Sequence, residues 1–168
     1  MCWLRSESVT GVAEDLALGE GEDLGRAHRE DRDAHALHVL EAAGHVMFTR
    51  SLLDAPRRLV EVHVLSPLAA MPGYQKRGIG SALVRKGLKA LAMRAVPLVF
   101  LEGDPGYYSR FGFAPGGDLG FRKPSLRIPD GAFQAIRLPA HEPWMTGTLV
   151  YAEPFWRHDC VGLRDPSA

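Results

Sequence analysis

The sequence predicts a single α/β domain built around a strand–helix–strand crossover. Three stretches carry that prediction. Leu59 to Ala70 is a long, largely apolar run of strand character, and Ile79 to about Arg94 has the apolar periodicity of an amphipathic helix. Val96 to Glu102 is a short, nearly all-apolar run, as a buried parallel strand requires. A strand, a helical crossover and a second strand form a βαβ unit. The chain has 168 residues, enough for one core and too few for two comfortable ones.

Composition excludes several function classes. Lys plus Arg and Asp plus Glu each number 20, so the formal net charge is zero and no global basic field favours nucleic acid. No apolar run approaches a membrane span, and the N-terminus lacks a charged-then-apolar signal segment. Cys2 and Cys160 lie near opposite ends without metal or redox spacing and read as thiols of a cytoplasmic protein. His35 and His38 sit in a strand-like run where such spacing points to opposite faces, so no metal site is expected. No Ser-His-Asp order or G-x-S-x-G elbow is present.

Taken in order, residues 1–35 are the least structured in pattern. Val12, Ala13, Leu16 and Leu18 fit one face of a short helix with Thr10 as N-cap. Residues 20–33 carry charge of both signs and read as a solvated helix or loop. His35 to Glu41 and Gly44 to Ser51 read as two strands joined at Ala42-Ala43-Gly44. Asp54-Ala55-Pro56 marks a turn, and the Arg57-Arg58 pair reads as its solvated part. Pro67 cannot donate a ladder hydrogen bond, so it marks a bulge or a break in pairing within the long strand. The helix places Gly80, Leu83, Val84, Gly87, Leu88 and Leu91 on one face. Gly87 costs a mid-helix position about 1 kcal/mol relative to alanine; it is either a device for close packing or a tolerated glycine. Asp104 is a good N-cap, Pro105 suits the first helical position and Gly112 the position after the end. Residues 116–168 offer strand candidates at Gln134 to Leu138 and Gly147 to Tyr151. Trp144, Tyr151, Phe155 and Trp156 either form aromatic core or line a pocket.

The chemistry concentrates in Gln75-Lys76-Arg77-Gly78-Ile79-Gly80-Ser81, between the long strand and the helix. A strand turning through glycines into a helix leaves backbone N–H groups converging at the positive end of the helix dipole. That is a site for phosphate. Gly78 and Gly80 allow close approach to the main chain, and Lys76 and Arg77 add positive charge. The stretch is no P-loop, because G-x-x-x-x-G-K-S/T is absent. It is no dinucleotide fingerprint either, because Gly78-Ile79-Gly80-Ser81-Ala82-Leu83 ends on leucine and lies mid-chain.

The string Leu68-Ala69-Ala70-Met71-Pro72-Gly73-Tyr74-Gln75-Lys76-Arg77-Gly78-Ile79-Gly80 resembles the acyl-CoA loop of the GNAT N-acetyltransferase superfamily. Downstream, Asp104-Pro105-Gly106-Tyr107-Tyr108-Ser109-Arg110-Phe111-Gly112-Phe113 is similar to the G-D-P-x-Y-Y-x-R-F-G-F signature of a bacterial branch of that family. Together the matches span about residues 37–115, leaving 1–35 as a divergent segment and 116–168 as C-terminal strands. The resemblance implies one GNAT domain over 1–168. Its fold would be a three-layer α+β arrangement, with helices on both faces of a mixed, mostly antiparallel sheet. A central parallel strand pair would splay to hold the pantetheine arm, and Pro67 suits that splay.

The resemblance further implies direct acetyl transfer from acetyl-CoA to an amine, with no metal. Cofactor contacts would come from Leu68, Ala69, Ala70, Gln75, Lys76, Arg77, Gly78, Ile79, Gly80, Ser81 and Tyr108. A backbone N–H of Ala69 or Ala70 would receive the carbonyl oxygen. A lysine-type amine has a pKa near ~10.4 and must lose a proton to attack, while a thiol near ~8.5 must regain one on leaving. Tyr108, at the family tyrosine's position, would be the general acid, with the adjacent Tyr107, which points elsewhere on the helix, as second choice. Glu61, Glu102 and His63, in that order, are the candidate bases. Glu61 and His63 share one strand face by alternation, and Glu102 ends the next strand. The acceptor, a small molecule or a peptide or protein amine, stays open, as does a homodimer that completes the site. Two other readings are a non-catalytic acyl-CoA module and a partner-binding protein that has lost CoA binding.

Overall fold

A computed structural model describes residues 36–41 and 43–161. The expected helix at Thr10 to Leu18, the charged stretch 20–33, His35 and Cys2 lie outside the described residues. Strands β1 (Ala36–Glu41), β2 (Gly44–Asp54) and β3 (Leu59–Ala70) form an antiparallel meander. Helix α1 (Ile79–Met93) leads to β4 (Leu98–Glu102), and the short α2 (Pro105–Tyr108) follows. Then come β5 (Ala114–Pro115), β6 (Phe121–Arg122), β7 (Phe133–Arg137), β8 (Gly147–Val150) and α3 (Glu153–Arg157).

All eight strands join one mixed sheet in the order β5-β7-β4-β3-β2-β8-β6, with β1 sharing an edge of β2 beside β8. The pairing is mainly antiparallel; β3 with β4 and β6 with β8 are parallel. The expected strand 44–51 runs on to Asp54, because Leu53 continues the alternation into the core. The turn is thereby confined to residues 56–58. Its two arginines lie over the Trp144 ring, at 5.3 Å for Arg57 and 5.6 Å for Arg58. They are held by cation–π attraction as well as hydrated.

Alternation along the strands divides the core between two faces. One face packs Phe48, Leu65, Val99 and Leu101 against Leu83, Val84, Leu88 and Leu91 of α1, with Tyr108 and Phe113 beside them. Gly87 is a close-packing device: a Cβ there would run into the edge of the Phe48 ring. The other face packs Val60, Val62, Val64, Leu98 and Phe100 beneath the connection 116–132 and the C-terminal segment. Trp144 and Phe155 of α3 join its margin, whereas Trp156 is exposed. Cys160 is disulfide-bonded, which corrects the expectation of a thiol there. No described helix is long and apolar enough to cross a membrane.

The site is set up by how β3 is paired. On the β2 side Val46 pairs with Leu68 and Phe48 with Leu65, so Ser66 and Pro67 together face Met47. This is the bulge that Pro67 announces. On the β4 side, only His63 with Val99 and Val64 with Phe100 are in register. β3 continues six residues past Val64, whereas β4 keeps its pairing with β7 on the other edge and ends at Glu102, with Leu101 and Glu102 out of register with β3. The parallel pair is therefore splayed.

Candidate functional site

After β3, the segment Pro72–Tyr74 makes a short 3-10 turn, and Gly78 enters the helix at φ 86°. That left-handed value favours glycine. The first helical hydrogen bond runs from Ala82 N to Gly78 O at 2.9 Å, so the N–H groups of Ile79, Gly80 and Ser81 precede it. They border a cavity of about 300 Å³ at the start of α1. Ala70, Gln75, Lys76 and Gly78 complete its loop wall. Gln75 Nε2 also donates to the Ala70 carbonyl at 3.4 Å, fastening the loop to the strand end. Arg77 is not part of the cavity lining; its guanidinium lies 5.8 Å from the ring centroid of Tyr74, which is part of it.

Tyr74, Tyr107 and Arg110 also line this cavity; Tyr107 is the sequence's second choice for the acid, whereas Tyr74 and Arg110 carry no sequence-assigned role. Tyr107 packs tightly on the loop: a Cβ added to Gly80 would stand 2.7 Å from its hydroxyl. Residues i and i+3 share a helical face, so the Tyr107–Arg110 spacing held the signal for this second wall.

Tyr108 lies behind Tyr107, 5 % exposed, edge-on to Phe113. Burial, then the neighbouring Tyr107, pushes its phenol well above the ordinary tyrosine range. Leu68 packs at the margin of the same core, and Ala69 is exposed.

The three candidate bases occupy different surroundings. Glu61 is exposed and paired with Arg50 at 3.2 Å; it lies nine residues from Ala70, on the order of 30 Å along the strand. His63 stands at the closed end of the splay on the α1 face, buried, with Nδ1 unpartnered. Burial, then the positive charges of Arg50 and Arg94, lower its pKa to about 4, so it is neutral at pH 7 and a weak proton acceptor. Glu102 lies two residues past the last paired position, on the opposite face, and accepts a 2.5 Å hydrogen bond from the Tyr151 hydroxyl. Burial raises its pKa above the usual carboxylate range, and the Tyr151 bond partly offsets this. Tyr151 is buried and stacked on Phe155, so it is core and a polar partner at once.

No family model matches this chain. It is 34% identical over 142 residues to YjhQ of Escherichia coli K12, named an uncharacterized N-acetyltransferase, covering 79% of this chain and 78% of that one. YhbS of the same strain, also named an uncharacterized N-acetyltransferase, is 38% identical over 96 residues, 55% of this chain and 56% of YhbS. The crystal structure of Escherichia coli YhbS, a GNAT family N-acetyltransferase in complex with CoA, superposes with TM-score 0.62 and 29% identity. That match covers 73% of this chain and 69% of YhbS. A GNAT family acetyltransferase from Brucella melitensis in complex with acetyl-CoA gives TM-score 0.52 and 28% identity, over 71% and 67% of the two chains.

Proposed function

Because the chain belongs to the GNAT family of N-acetyltransferases, we propose that it carries acetyl from acetyl-CoA directly to an amine. The observation that carries this reading is the splay of β3 from β4 beside a helix start with N–H groups to spare. A diphosphate fits that helix start, which offers backbone donors, the dipole and the cation of Lys76 around one cavity. An extended arm with amides fits the β3 edge at Leu68 to Ala70, where β4 no longer pairs.

Bound acetyl-CoA supplies a thioester whose carbonyl carbon is open to attack. The N–C bond forms as the C–S bond breaks. Glu102 accepts the proton that the amine must lose, and its raised pKa brings it closer to neutrality than an exposed carboxylate. It also sits nearest the splay, whereas Glu61 is remote and His63 is held weakly basic. Tyr108 donates the proton that the departing thiolate needs; its raised pKa keeps the phenol loaded at pH 7. The Ala69 or Ala70 N–H receives charge developing on the carbonyl oxygen.

The test is thermal unfolding of the whole chain with acetyl-CoA, wild type against Gly80→Glu, followed by turnover against small amines, polyamines and peptides. Ligand at ~100 times its dissociation constant adds about 2.7 kcal/mol to the native state. A raised midpoint in wild type that is lost in the variant supports cofactor binding at the loop, and release of CoA with one amine class supports transfer. No shift at millimolar acetyl-CoA overturns the reading; a shift without turnover leaves a binding module.

A further inference from the structure

The cavity wall opposite the glycine loop carries a cation to which the acetyl-transfer reading gives no task. Arg110 lies on the 3-10 turn that continues α2 (Ser109–Phe111) and borders the cavity. Its guanidinium is 4.7 Å from the Tyr107 ring centroid, and its Nη2 donates to the Gly106 carbonyl at 3.3 Å. Among the described residues no carboxylate pairs with it. It is exposed, held by a ring and a carbonyl, and the rest of its donor fork is open.

We propose that Arg110 is a phosphate-binding residue for the acyl carrier, clamping from α2 a ligand whose diphosphate sits on the loop. This rests on the acetyl-transfer reading and adds a contact outside the glycine motif. A planar guanidinium meets two phosphate oxygens at once, which a backbone cradle on one side cannot do. Stacking on Tyr107 restricts the side chain before the ligand arrives, so little freedom is lost on binding. Tyr107 is thus a positioning residue, touching the loop at Gly80 with its hydroxyl and Arg110 with its face. CoA offers a diphosphate and a 3′-phosphate, and the chemistry that Arg110 reads is common to both.

Calorimetric titration of the whole chain with CoA and with 3′-dephospho-CoA, at several salt concentrations, separates the cases. Arg110→Ala should weaken CoA at least about tenfold and flatten the salt dependence of Kd. Tyr107→Leu, which removes the stack, should approach Arg110→Ala in both affinity and salt dependence. A loss confined to CoA places the contact on the 3′-phosphate; an equal loss with the dephospho form places it on the diphosphate. Unchanged CoA affinity in Arg110→Ala, or weaker binding with wild-type salt dependence, overturns the assignment. If wild type itself binds no CoA, the acetyl-transfer reading fails first.

Discussion

The Tyr151 hydroxyl donates to Glu102 Oε1 at 2.5 Å, tying the chain just after β8 to the end of β4 where the parallel pair comes apart. The bond favours the charged carboxylate, against the burial that opposes it. Tyr151→Phe removes this support, so the pKa of Glu102 should rise further. A base works only deprotonated, so the acid limb of kcat/KM against pH should move to higher pH in Tyr151→Phe. Glu102→Gln should abolish that limb and lower the rate by about 10²-fold or more. Glu61→Gln should leave the profile unchanged, because an exposed ion pair contributes only about 0–1 kcal/mol. A profile that responds to Glu61 and ignores Glu102 would reverse the assignment.

Tyr108→Phe should lower kcat by about 10²- to 10⁴-fold while leaving acetyl-CoA affinity and the unfolding midpoint near wild type. The ring is what packs on Phe113, and phenylalanine retains it. Steady-state kinetics beside a melting curve reads both. A kcat unchanged in this variant would remove Tyr108 from the chemistry.

Much of the fold was legible because its signals are local. β3 was read with its observed bounds, Leu59–Ala70, since apolar content and turn residues mark both ends. The same holds for α2, where the Asp104 carboxylate accepts from the Gly106 N–H at 2.8 Å, as an N-cap should. The two-residue strands β5 and β6 gave no pattern to read; only their partners β7 and β8 define them. At the site, the loop was visible as a motif, whereas the fold alone brings Tyr107 against Gly80 and sets Arg110 beside the same cavity. Glu61 and His63 were read as sharing a face, and alternation does give them one. What sequence spacing did not give is that α1 covers one and leaves the other in water.

Gly87→Ala tests that helix contact by its sign. In an open helix the change would gain about 1 kcal/mol. Here the new methyl meets the Phe48 ring, and overpacking of this kind costs about 1–3 kcal/mol. Urea unfolding should show a net loss, restored in part when Phe48→Leu is added. A gain in the single variant would show the α1–β2 contact to be looser than described.

Acid stability should depend on His63. Its pKa is about 4 in the folded chain against an ordinary value of 6.5, so between these values the unfolded chain holds the extra proton. Stability from this group is therefore present above pH 6.5 and falls as the pH drops toward 4, by up to about 3 kcal/mol. Urea midpoints measured across that window should decline more steeply in wild type than in His63→Leu. Parallel declines would show that burial does not hold this imidazole neutral.

The unmatched length of β3 is, in effect, a sheet edge placed in the interior of a sheet rather than at its rim. Edges are where sheets recruit foreign strands, and proteins ordinarily blunt them with charge, proline or a covering element. This one carries Pro67 near its beginning and ends on Leu68, Ala69 and Ala70, which have no charge to repel a newcomer. A cosubstrate that occupies the gap thus doubles as a guard against self-association. Empty protein is the form to keep dilute, and light scattering with and without acetyl-CoA would register the difference.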